Sequence, residues 1–182
     1  MRKVSIIPRG LALGVTFAAP DSDRFNYREP EVLAKIDVAL GGRAAEHLVF
    51  GDTSTGAESD LEQLTAIARQ MVGRWGMNRT IGPVSVLPRD GSGPLLPGSA
   101  EVSPHTQQLV DDEVRRVVEE ANMHVMALLR ANRARLDSLA AALLEHETLD
   151  EDDAYAAAGV ERVAAPSGGD GLSAAARTRT ES

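Results

Sequence analysis

The sequence predicts a mainly α protein, with a small N-terminal β element and a disordered C-terminal tail. Three observations carry that expectation. Aromatics are 3% of the 182 residues while 43% are hydrophobic, so the core must come from Leu, Val, Ile, Ala and Met, which suits helices. Apolar residues recur at three- and four-residue spacing through most of the chain. Both ends break that period.

At the start, Val4, Ile6 and Ile7 precede Pro8-Arg9-Gly10, and Leu13-Gly14-Val15-Thr16-Phe17 follows it. Two β-rich runs about a Pro/Gly turn read as a hairpin or two adjacent strands. After a polar loop, a first helix is expected over residues 30–50, with Leu33, Ile36, Leu40, His47 and Leu48 on one side. Beside them runs a stripe of smaller residues, Val38, Gly41, Gly42, Ala45 and Val49. A mid-helix glycine costs about 1 kcal/mol relative to alanine. Two in succession point to close approach of another helix or backbone.

Thr55-Gly56-Ala57-Glu58 fits a capping box and opens a second helix, with Leu61, Leu64, Ala68, Met71, Val72 and Trp75 on one stripe and Gly76 at its end. Residues 88–104 are rich in Gly, Pro and Ser and read as a surface loop. From Ser103-Pro104, Val110, Val114, Val117, Ala121, Val125 and Leu128 keep a helical period. A fourth helix is expected over residues 133–145 and a short one over residues 150–158. From Val163 large apolar residues all but vanish, so the domain is placed at residues 1–162 and a disordered tail at residues 163–182.

Nineteen basic against 27 acidic residues give a formal charge of −8 and a pI near 5.0. That balance disfavours nucleic acid and anionic lipid as partners. Cysteine is absent, which excludes disulfides, a thiolate nucleophile and a Cys-based zinc knot. The longest apolar runs fall far short of the roughly 20 residues that span a bilayer, and the start has no signal-peptide core. A soluble chain without direct membrane contact is expected.

The sequence has no phosphate-binding loop, G-x-G-x-x-G, G-x-S-x-G or H-E-x-x-H. The scattered His47, His105, His124 and His146 read as surface or partly buried helix residues. Two carboxylates stand out. Asp60 lines up with Leu64, Ile67 and Met71, and a carboxylate on a core-facing stripe needs a charge partner, hydrogen bonds or a metal. Alternatively it complements the positive end of the helix, worth about 0.3–1 kcal/mol. Glu46 borders the small-residue stripe; alone, it is an ordinary partner for Arg43.

Lys3-Val4-Ser5-Ile6-Ile7-Pro8-Arg9-Gly10 and Leu11-Ala12-Leu13-Gly14-Val15-Thr16 resemble the FtsH family of membrane-anchored, ATP-dependent zinc metalloproteases. So, in the same order, do Gly41-Gly42-Arg43-Ala44-Ala45-Glu46, Ser54-Thr55-Gly56-Ala57, Asp60-Leu61, Ala66-Ile67-Ala68-Arg69-Gln70-Met71-Val72, Trp75-Gly76-Met77, Gly82-Pro83 and Leu143-Leu144-Glu145-His146-Glu147-Thr148-Leu149-Asp150. The likeness covers about residues 3–160. It implies a helical peptidase domain in which Asp60 is the third zinc ligand and Glu46 lies close to the zinc, orienting the histidines from behind. It also implies protein substrates, homohexamers or intact protease subunits as partners, a location on the cytoplasmic side of a membrane, and ATP used by a separate ATPase domain.

In that family the histidine pair and catalytic glutamate precede the segment resembling residues 3–10. Here no catalytic residue matches, so zinc would find an incomplete site and the isolated chain is expected to be inactive. A fragment, a split or mis-started reading frame, and a domain without its catalytic helix all fit. The alternative function is a non-catalytic helical module for assembly. Zinc proteases commonly bind substrate as an added strand. Leu13, Gly14, Val15, Thr16 and Phe17 form the candidate edge, unless they merely cover the core.

Overall fold

Val32, Ile36, Leu40 and Ala44, each four residues apart, give helix α1 (Glu29–Phe50) one continuous buried line. The Glu31 carboxylate secures its start, accepting from the Arg28 backbone N–H at 2.8 Å and the Arg28 guanidinium at 3.2 Å. Pro30 sits in the first turn, where its missing N–H is harmless. The helix stops at Gly51, whose φ of 73° suits glycine and whose N–H donates to His47 O at 2.9 Å.

The computed structural model of the chain describes residues 3–8, 15–17, 26–87 and 102–161. They belong to two compact units, residues 19–137 and residues 1–18 with 138–182. In the larger unit α1 packs with α2 (Glu58–Gly73) and α3 (Pro104–Ala131). Their inner faces supply Leu64, Ala68, Met71 and Val72 from α2, and Val110, Val114, Val117, Ala121 and Val125 from α3. Burying a side chain such as Ile36 or Leu64 contributes about 1.5–3 kcal/mol, so this three-helix core is the main source of stability in the unit.

The segment after α2 folds back onto it: Gly73 O accepts from Val86 N and Leu87 N at 2.8 and 3.1 Å. A Cβ at Gly73 would stand 2.6 Å from the Leu87 side chain, which would have to move to admit it. The Asn78 carboxamide ties the same segment to Glu113 of α3 at 2.7 Å.

The chain leaves this unit within α4 (Arg133–His146). The smaller unit is an antiparallel sheet in the order β2 (Val15–Phe17), β1 (Lys3–Ser5), β3 (Thr148–Asp150). Ser5 stands opposite both Val15 and Thr148, and its hydroxyl is 2.8 Å from that of Thr148. Asp150 ends β3 and caps α5 (Glu151–Ala158), its carboxylate accepting from Asp153 N at 3.0 Å. Leu149 and Ala154 are the buried apolar residues of this turn.

The mainly helical architecture and the N-terminal β element agree with expectation. Four local readings need correction. The β element has a third strand, whose Thr148 is 143 residues from its partner Ser5, where only helix and loop were expected. The second helix is not opened by a Thr55 capping box: Ser54 caps a 3-10 turn (Thr55–Ala57), its hydroxyl accepting from Gly56 N at 3.2 Å. Trp75 and Leu61 lie half out of the apolar stripe, 42% and 38% exposed. Asp60, expected to face inward, is exposed. The reason is common to Leu61 and Asp60: the first buried side chain of α2 is Leu64, so the opening turn runs past the core. Leu13, Gly14, the loop over 88–101 and the tail over 163–182 lie outside the described residues.

Candidate metal centre

The end of α1 and the beginning of α2 are joined by a short segment whose polar groups are bonded in sequence. Glu46, half-buried on α1, accepts from the backbone N–H of Ser54 at 3.0 Å. Ser54 in turn caps the 3-10 turn, and the Glu58 N–H donates to Thr55 O as the turn passes into α2. Asp52 accepts from the Thr53 N–H at 2.7 Å. Asp60 then stands in the first turn of α2, where the helix dipole favours a carboxylate.

The chain of bonds matters electrostatically. The Ser54 backbone N–H, assisted by the Ser54 hydroxyl, holds the Glu46 carboxyl below the usual carboxylate range. Glu46 is therefore an anion at neutral pH. Arg43 contributes to the same direction but ranks behind Ser54, so the pairing with Arg43 expected from sequence is the lesser interaction. Asp60 has no hydrogen bond or ion pair among the described residues. It presents an exposed carboxylate oxygen donor in the first turn of α2.

A carboxylate so placed has the donor chemistry that zinc accepts. Among the described residues no group of three His, Cys, Asp or Glu side chains is able to hold a metal ion. Asp60 fits as one ligand of a larger set, and the described residues do not supply the rest. His47, His105, His124 and His146 are all exposed, in agreement with their reading as surface residues.

The most elaborate polar cluster lies elsewhere and was not singled out from sequence. Glu113 is buried and accepts from Asn78 at 2.7 Å and from Arg116 at 2.8 and 3.1 Å. Asn78 Oδ1 accepts from Thr80 N and Ile81 N, both at 2.9 Å. The Arg116 guanidinium, then Asn78, keeps the Glu113 carboxyl below the ordinary range, and Glu113 and Glu120 raise Arg116. The cluster is fully bonded and anchors the loop after α2. Glu113 sits between Val110, Val114 and Val117 in the buried period of α3, which is the only sequence signal that pointed to it.

Comparison with known proteins gives the family of this helical fold. Residues 1–156 match peptidase family M41, and the chain belongs to that family. It is 66% identical over 163 residues to "ATP-dependent zinc metalloprotease FtsH 3" of Conexibacter woesei, covering 90% of this chain and 22% of that protein. It is 51% identical over 154 residues to "ATP-dependent zinc metalloprotease FtsH" of Thermobaculum terrenum, covering 83% and 24%. The corresponding protein of Syntrophus aciditrophicus is 49% identical over 157 residues, with 84% and 21% covered. The resemblance to the FtsH family read from the motifs is thus correct. The chain spans less than a quarter of the length of these relatives. No helix among the described residues is long and apolar enough to cross a membrane.

Proposed function

We propose that this chain is the C-terminal part of the peptidase domain of an ATP-dependent zinc metalloendopeptidase, to which it contributes Asp60 as a zinc ligand. The observation that carries this reading is Asp60 itself. It is an exposed carboxylate with no partner among the described residues, on the first turn of a helix packed into the core, in a chain of peptidase family M41.

Zinc, when bound, supplies Lewis-acid polarisation of the substrate carbonyl and acidifies a water molecule. The chain's own residues prepare the place. Asp60 offers the oxygen donor. Glu46 keeps one carboxylate oxygen on Ser54 and has the other to orient a ligating histidine. Strand β2 pairs on one side with β1, and its other edge, unpaired among the described residues, would take an extended substrate through backbone hydrogen bonds with little sequence preference.

The Val38, Gly41, Gly42, Ala45 and Val49 stripe supports the same reading. Val38 is 80% exposed, and no atom of the described residues lies within 4 Å of where a Cβ would stand on Gly41 or Gly42. In the complete peptidase this face receives the helix that carries the histidine pair. The substrates are unfolded and membrane-extracted proteins, delivered by an ATPase ring above a homohexamer of peptidase domains. ATP is used there and not by this chain.

The test is metal retention in a chain whose N-terminus carries a fused H-E-x-x-H helix ahead of Lys3. Asp60→Asn should abolish zinc retention after dialysis, because a neutral amide is a far poorer zinc ligand. Glu46→Gln should weaken retention by about 10–100-fold. Full zinc occupancy in Asp60→Asn would refute the assignment.

A further inference from the structure

We infer that Glu46 is the positioning residue for Asp60, acting through Ser54 on the turn that launches α2; this rests on the metal reading of Asp60. Asp60 precedes the first buried residue of its helix, Leu64, by one turn, so core packing alone does not hold its turn. What does hold it is the bonded segment before it. The Glu46 carboxylate captures Ser54 N at 3.0 Å, the Ser54 hydroxyl captures Gly56 N at 3.2 Å, and Glu58 N closes on Thr55 O. Each link fixes the next, and Asp60 follows two residues after the last.

Glu46 is half-buried near the end of α1, two residues past its last buried side chain, Ala44, and the helix backbone sets its place. Its anionic state strengthens the first link, since a hydrogen bond to a charged acceptor is roughly twice as strong as a neutral one. A metal ligand held within about 0.5 Å of its working position loses little freedom on binding. Glu46 thus supplies Asp60 with that order without touching the metal.

Amide hydrogen exchange and backbone order parameters of the whole 182-residue chain test this without metal. In Glu46→Ala, exchange at Ser54, Gly56 and Glu58 should rise at least tenfold. The Asp60 order parameter should drop from about 0.85 toward 0.6. Exchange at Val110 and Val114 should stay unchanged. Glu46→Gln keeps an oxygen acceptor and should restore protection to within about threefold. It should also remove the acid titration expected in the wild-type Ser54 amide shift. Unchanged exchange at Ser54 and order at Asp60 in Glu46→Ala would overturn the inference. So would a uniform rise that includes Val110 and Val114, because Glu46 would then support the whole fold. Zinc retained by Asp60→Asn in the fused chain sinks the metal reading alone and leaves this exchange pattern intact.

Discussion

The Asn78 carboxamide donates to the Glu113 carboxylate at 2.7 Å, a buried bond that fastens the loop after α2 to the middle of α3. Arg116 covers the same carboxylate from the solvent side at 2.8 Å, while the other end of Asn78 accepts from two backbone amides of its own loop. One carboxylate therefore organises a loop of the domain that carries few buried apolar residues of its own.

Glu113→Ala should cost about 2–3 kcal/mol, because it removes a charge-assisted bond and leaves Asn78 without its partner. The folded carboxyl titrates below its ordinary value. Its contribution is therefore present in full above the unfolded value and is lost as pH falls through the folded one. Urea unfolding from pH 7 down to pH 3 should show wild-type stability falling in the acid range. Glu113→Gln should have a shallower slope over the same range. An equal slope in both would refute the linkage.

Gly41→Ala and Gly42→Ala should each stabilise this chain by about 0.5–1 kcal/mol, since both sites are helical and open around the missing Cβ. If the stripe receives a neighbouring helix, the same substitutions should reduce zinc retention in the fused chain. Opposite signs in the two measurements are the expected signature. Stabilisation in both would show that the glycines face solvent in the complete domain.

The 182-residue chain should not hydrolyse unfolded casein with added zinc. It contains no H-E-x-x-H, and its described residues hold no three-ligand metal set. Chelator-sensitive turnover above background in protein free of contaminating protease would contradict this.

Much of the helical layout was legible because periodicity is a local signal. Ile36 and Leu40 on α1, and the valines of α3, carry the same period in the sequence and in the core. The buried line of α1 is completed by Val32 and Ala44 rather than by Leu33, His47 and Leu48, and His47 is exposed. Asp60 could be proposed as a ligand only through its family motif. The inward face assigned to it from spacing was wrong, because spacing records the phase of a helix and not where its neighbours end.

The sequence by itself determined the main helices, the place of the two N-terminal strands and membership of the FtsH family, though the stop read at Gly76 falls at Gly73. Only the tertiary structure decided that Thr148–Asp150 completes the sheet, that Glu113 closes on Asn78, and that Glu46 holds Ser54. Helix period and end-capping are written in residues three or four apart. A strand three residues long, and a hydrogen bond between residues 35 apart, leave no periodic trace; they form only when packing brings the partners together.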